Sequence, residues 1–304
     1  MSIRCGRFAL PSLHCHFFPL RRRSWNFTTS LRLNTSSITA VSTASSSPIS
    51  SSKSHSRTPG EGDCTSPSTS LTLSLRQRDQ ISLYVDTLLK WNQKMNLTAV
   101  KDESEVMTRH VEDSLAILPP LKRTYFTKCS KPPYSDGLSL VDVGSGAGLP
   151  GLILAIACPG WKFTLLESMR KRCAFLEHVI KLVGLSNVNI VCDRAENVGQ
   201  SPDFREGFDV AVARAVAELR ILAEYCVPLV RVGGLFVAAK GNDPQDEIKN
   251  AKKAVHLLGA SILESCTVES HGPFGQRTAV ICFKDRATPR KYPRHPGIPS
   301  KLPL

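Results

Sequence analysis

From about residue 138 the chain predicts an α/β fold, a doubly wound and mostly parallel sheet of seven strands, and three features of the sequence lead there. Short apolar runs alternate with amphipathic segments, a glycine-rich turn follows the first run, and the last two runs are joined without room for a helix. Strands are expected at "LSLVDV", "KFTLLE", "VNIVC", "FDVAVAR", "GGLFVAAK", "ILESCTVES" and "TAVICFK". Helices fit between the first five, at residues 150–158, 169–183, 217–227 and 243–258, because parallel neighbours need a long crossover. Only "HGPFGQR" separates the sixth and seventh runs, so these should pair as an antiparallel hairpin.

Upstream, Leu75, Ile81, Val85, Leu88 and Leu89 recur at helical spacing. A second helix is expected from Glu103 to Leu118, stopped by Pro119-Pro120, with residues 122–137 as a linker. Four segments result: a leader at 1–70, a helical extension at 71–137, the sheet domain at 138–285 and a basic, proline-rich tail at 286–304.

The first 60 residues hold 15 Ser, six Thr and eight Lys/Arg with no acid, the composition of an organelle transit peptide. A secretory signal at Phe8 to Leu20 is interrupted by Pro11, His14, His16 and Pro19, and a disordered tail is the third reading. Setting those 60 residues aside leaves 31 Lys/Arg against 26 Asp/Glu over residues 61–304, a net +5 instead of the whole chain's +13. Such a balance permits a nucleic-acid partner without requiring one. The ten cysteines contain no C-x-x-C pair, so zinc-ligand spacing is absent and reduced, partly buried thiols are expected. No apolar run has the length of a membrane span.

The turn after the first strand reads in two registers. Gly146-Ala147-Gly148-Leu149-Pro150-Gly151 fits the G-x-G-x-x-G of dinucleotide loops, whereas Asp142, Gly144, Ser145, Gly146 and Gly148 fit the D-x-G-x-G-x-G of loops that hold S-adenosylmethionine. The dinucleotide register runs the strand into Gly146 and buries Asp142 within it. The methyl-donor register ends the strand at "LSLV" and sets Asp142 at its mouth, where a carboxylate would face the ligand's cationic end. Glu167, closing the second strand, can accept from ribose hydroxyls of either cofactor. Asp193 or Glu196, after the third strand, could flank an adenine or be solvated.

At these residues the chain resembles the bacterial glucose-inhibited division protein B family, the 16S ribosomal RNA guanine-N7 methyltransferases. The likeness runs from about Leu73 to Leu304 through "YVDTLLKWNQKMNLTAV", "RHVEDSLAILP", "LVDVGSGAGLPGLILAI", "LLESMRKRCAFLEHV", "DRAENV", "FDVAVARAVAEL", "GGLFVAAKG" and "TPRKYPRHPGIPSKLPL". Ala147 stands where many members carry proline. The resemblance implies a class I methyltransferase with a Rossmann-like sheet, S-adenosylmethionine as cofactor, and Gly144, Leu149, Ala195, Glu196 and Arg214 in contact with it. It implies small-subunit ribosomal RNA, or an assembling small subunit, as substrate, in a chloroplast given the Ser/Thr-rich leader, with a mitochondrion as alternative.

Guanine N7 carries a free lone pair at neutral pH, so no general base is needed and no catalytic side chain is expected, only positioning. For RNA contacts the tail offers Arg286, Arg290, Lys291, Arg294 and Lys301 among five prolines, with Tyr292 placed to stack on a base. Lys240 and Arg277, near strand ends, would extend that path. On this reading the tail is removable without loss of cofactor binding. His110 and Asp113 lie on one helix face and lack further metal ligands, so they should hydrogen-bond the helical unit to the sheet. The competing functions are a small-molecule methyltransferase, an NAD-dependent oxidoreductase and a non-catalytic RNA-binding protein.

Overall fold

The computed structural model describes residues 73–129, 137–214, 217–268, 270 and 276–304; the leader lies outside them. Its seven strands are β1 (Ser139–Val143), β2 (Lys162–Leu166), β3 (Val188–Val191), β4 (Phe208–Arg214), β5 (Val230–Lys240), β6 (Ala260–Val268) and β7 (Arg277–Lys284). They form one sheet in the order β3-β2-β1-β4-β5-β7-β6. β7 runs antiparallel between β5 and β6, and the other pairs are parallel. The expected hairpin is therefore present, with its second strand inserted beside β5. Strand order reverses between β1 and β4, which opens a crevice at their carboxyl ends.

The crossover helices are α5 (Gly151–Ala157), α6 (Arg170–Val183), α7 (Ala195–Gln200), α8 (Leu219–Cys226) and α9 (Gln245–Leu257). Helix α7 falls in a stretch that periodicity left without a helix, because six residues are too few to show an apolar stripe. β5 also begins three residues before the expected "GGLFVAAK".

Ahead of the sheet lie α1 (Leu75–Met95), α2 (Glu103–Val106), a π-helical stretch (Met107–Glu112), α3 (Asp113–Leu115) and α4 (Leu118–Lys128). A capping box starts α1, with Gln77 N donating to Ser74 Oγ at 3.3 Å and Ser74 N to Gln77 Oε1 at 2.8 Å. Its buried Ile81, Tyr84, Val85 and Leu88 join Leu152, Ile153, Phe175 and Leu176 of α5 and α6 in one apolar cluster. Leu75, counted in the stripe, is exposed instead. Pro119-Pro120 does not stop a helix but opens α4, where the missing N–H groups cost nothing. The expected linker is helical as far as Lys128, and residues 130–136 lie outside the described ones.

The largest change concerns the tail. Residues 286–304 do not trail off the sheet; they pack across α7 and α8 and end in the short helix α10 (Ile298–Lys301). Tyr292 is 6% exposed and belongs to the apolar cluster of β4, β5 and α8. Arg294 donates to both carboxylate oxygens of Glu224, which is 1% exposed. Arg205 reaches the carbonyls of Thr288 and Tyr292, each at 2.7 Å.

Candidate active site

The turn after β1 is built as its glycines suggest. Gly144, Gly146 and Gly148 have φ of +75°, +57° and +88°, a region where a Cβ is strained. Gly148 is also sterically closed, since a Cβ there would lie 2.3 Å from Leu152 Cδ1. Gly144 N donates to Leu166 O at 2.8 Å, which ties the turn to the end of β2.

Asp142 is placed differently from the expectation. It lies inside β1, paired with Leu165 and Val212, and is 0% exposed. Its Oδ2 accepts from Gly151 N at 2.9 Å, so the carboxylate fastens the start of α5 beneath the loop instead of facing a ligand. Burial pushes its pKa up to about 7, against the Gly151 hydrogen bond that lowers it. A strand-buried acid with a backbone partner also removes the strand-position argument against a dinucleotide. Two further side chains turn away from the crevice: Ser145 Oγ donates to Asp142 O at 2.9 Å, and Leu149 packs into the cluster with α1. Any ligand contact from these two is through backbone.

Glu167 follows β2 and is 3% exposed. One carboxylate oxygen accepts from Gly146 N at 2.9 Å and the other from Met169 N at 2.8 Å. It thus holds the glycine loop and keeps further lone pairs for a hydroxyl. Ala195 and Glu196 begin α7, but the Glu196 carboxylate is already engaged with Arg194 at 3.1 Å and with Gly297 N of the tail at 2.9 Å. Burial pushes its pKa up and these partners outweigh that, so the carboxyl stays below its usual range. Its role is to bring the tail to the β3 end of the crevice.

Arg214 closes β4 next to β1. Its guanidinium donates to Arg109 O at 3.2 Å and to His110 Nδ1 at 3.1 Å. Arg109 and His110 sit in the π-helical stretch, whose wider turn often marks functional sites. With Asp113, Ile117, Lys240, Glu247 and Arg277 they line a pocket of about 410 Å³ over the ends of β4, β5 and β7. Sequence reasoning missed Arg109 and Tyr84, whose hydroxyl donates to Ala147 O at 2.9 Å under the loop. The signal for both was present only as a basic or aromatic residue on a helix.

The pocket's charges are mostly paired. Arg277 bonds Asp113 at 3.0 Å and Lys240 bonds Glu247 at 2.6 Å, so the expected helix-to-sheet link through Asp113 is made by one of the two proposed RNA-binding cations. Among the tail residues, Arg290, Lys291 and Lys301 are exposed, whereas Tyr292 and Arg294 are corrected: a buried ring offers no face to a base, and Arg294 is held by Glu224.

His110 Nδ1 lies 3.1 Å from the Arg214 guanidinium and 3.0 Å from Arg109 O, and Nε2 lies 2.7 Å from Thr98 Oγ1; an arginine only donates, so the bond from Arg214 is made in the tautomer whose Nδ1 carries no proton. Burial first, and Arg214 second, push the His110 pKa down to about 4 from 6.5. The unfolded chain binds the extra proton between these values, so His110 makes the protein gain stability as pH rises from about 4 to 6.5. Asp142 acts oppositely, since its raised pKa makes stability fall as pH rises through about 7. Denaturation of His110→Gln beside the unsubstituted protein should show the stability difference widening in favour of His110 across the lower window and then levelling. A difference independent of pH would refute the neutral assignment.

No group of three or more His, Cys, Asp or Glu able to hold a metal occurs among the described residues, and no described helix is long and apolar enough to cross a membrane. A family model described as rRNA small subunit methyltransferase G matches residues 77–273. The proteins named ribosomal RNA small subunit methyltransferase G of Bacillus cereus and Bacillus anthracis are each 42% identical over 234 residues, 77% of this chain and 93% of theirs. Among solved structures, Aeropyrum pernix fibrillarin with bound S-adenosyl-L-methionine is 16% identical with a TM-score of 0.40, covering 56% of this chain and 76% of that one.

Proposed function

Because the chain belongs to the rRNA small subunit methyltransferase G family, we propose that it transfers a methyl group from S-adenosylmethionine to N7 of a guanine in small-subunit ribosomal RNA. One observation supports the reading: the glycine loop leaves the end of β1, and Arg214, which lines the pocket over β4, β5 and β7, ends the adjacent strand β4.

The residues present fit such a donor. A Cβ built on Gly146 would meet only Gly144 O, at 3.8 Å, so backbone at the loop's centre is open to close approach. Glu167 stands beside it for the ribose, and the Arg214 guanidinium stands at the end of the adjoining strand. S-adenosylmethionine supplies an activated methyl group on a sulfonium. N7 needs no deprotonation, so Arg214, His110 and Asp113 act by fixing the acceptor in line, an effect that reaches about 7–11 kcal/mol when alignment is complete.

Exposed Arg290, Lys291 and Lys301 support an RNA path over the tail's outer face, beside the β3 end of the crevice. RNA's deep major groove hides N7, which favours a loop guanine or one opened within an assembling subunit. The Ser- and Arg-rich leader supports import into a chloroplast. The test is a map of 7-methylguanosine in organellar small-subunit RNA with and without the protein. Loss of one modified position is expected, and an unchanged map overturns the reading.

A further inference from the structure

Two cysteines flank Glu167 on the nucleoside side of the crevice. Cys173, on the first turn of α6, is 4% exposed, and its thiol donates to Glu167 O at 3.3 Å. Cys192 follows β3. The parallel register sets Val191 beside Leu166, and Glu167 N donates to Val191 O at 3.1 Å, which brings Cys192 next to Glu167 on the neighbouring strand. Cys173 and Cys192 thus approach Glu167 from α6 and from β3, on its own carbonyl and on the neighbouring strand. Among the described cysteines, Cys129, Cys158, Cys173, Cys226 and Cys282 are buried, Cys266 is half-buried, and Cys192 is exposed. A solvent-facing thiol and a buried one thus lie beside the backbone of the same residue, one that holds the glycine loop.

We propose that Cys173 and Cys192 form a reversible disulfide that lowers the protein's affinity for its methyl donor, an effect that rests on the S-adenosylmethionine reading above. Burial and the Cys192 contact push the Cys173 thiol up to about 12, so Cys192 is the attacking sulfur. Its thiolate attacks one sulfur of a small-molecule disulfide such as oxidised glutathione, giving a mixed disulfide and releasing one thiolate. Cys173 then loses its proton to solvent and attacks the Cys192 sulfur, expelling the second thiolate. Two electrons pass from the cysteine pair to the oxidant, which leaves as two thiols.

The bond draws the sulfurs to about 2.05 Å. Cys173 must therefore leave Glu167 O, and the stretch from Cys192 to Arg194 moves toward α6. That stretch leads directly into Ala195 and Glu196, while Glu167 holds Gly146 N. Both sides of the nucleoside site shift together, and a reducing dithiol restores them.

The full chain is equilibrated with reduced and oxidised glutathione, alkylated and mapped by peptide mass, and S-adenosylmethionine affinity is measured by titration calorimetry on the same samples. The expected result is a Cys173–Cys192 cross-link, with affinity falling at least about fivefold, the low end of coupling between sites, and returning with dithiothreitol. Cys192→Ser should bind like the reduced protein and ignore the oxidant. A lasting glutathione adduct on Cys192 without the cross-link, or a cross-link that leaves affinity unchanged, overturns the proposal. Failure of the reduced protein to bind S-adenosylmethionine overturns the cofactor reading instead, and the peptide masses still judge the cross-link.

Discussion

Cutting the chain after Asp285 should abolish cofactor binding and remove at least about 3–5 kcal/mol of stability, as expected when a buried ion pair loses one partner. The pair is Arg294 with Glu224, bonded at 2.6 Å with the glutamate 1% exposed. The same cut uncovers the cluster that Tyr292 seals and frees Glu196, whose carboxylate would lose Gly297 N at the β3 end of the crevice. A milder probe separates packing from charge: Tyr292→Ala should cost about 3–5 kcal/mol, as for a large aromatic removed from a core. Urea denaturation and calorimetric titration with S-adenosylmethionine check both. A truncated protein that remains as stable and binds the cofactor as well would restore the tail to the dispensable RNA arm its composition suggests.

Arg214→Ala should leave a folded protein whose methyl transfer is reduced about 10- to 100-fold, the equivalent of a charged hydrogen bond worth about 1.5–3 kcal/mol. Arg214 ends β4 and lines the pocket, and its removal takes one donor from His110 Nδ1 and one from Arg109 O. Arg214→Lys should recover little, because one ammonium cannot reproduce a planar fork that meets two acceptors. Circular dichroism and single-turnover rates on small-subunit RNA decide the matter; wild-type rates in the alanine variant would exclude Arg214 from the site.

What the sequence made legible follows from the range of the interactions. The alternating runs and the three glycines act within a few residues, and the sheet, the final hairpin and the left-handed turn match them. Asp142 was misplaced because its partner, Gly151 N, comes from the first turn of α5, and only folding shows that a strand-interior acid has one. The tail was misread for the same reason. Arg294 lies 70 residues from Glu224 and Gly297 lies 101 from Glu196, so nothing local distinguishes a strapped segment from a solvated one. Pro119-Pro120 misled because proline breaks a helix interior yet suits a first turn, and pattern alone does not say which applies.

The sheet order also sets a timetable for synthesis. β7 must slot between β5 and β6, and the strap across α7 and α8 is made from the final residues. Until β7 has emerged and paired, the outer edge of β5 has unpaired backbone groups, a state that invites pairing with other chains.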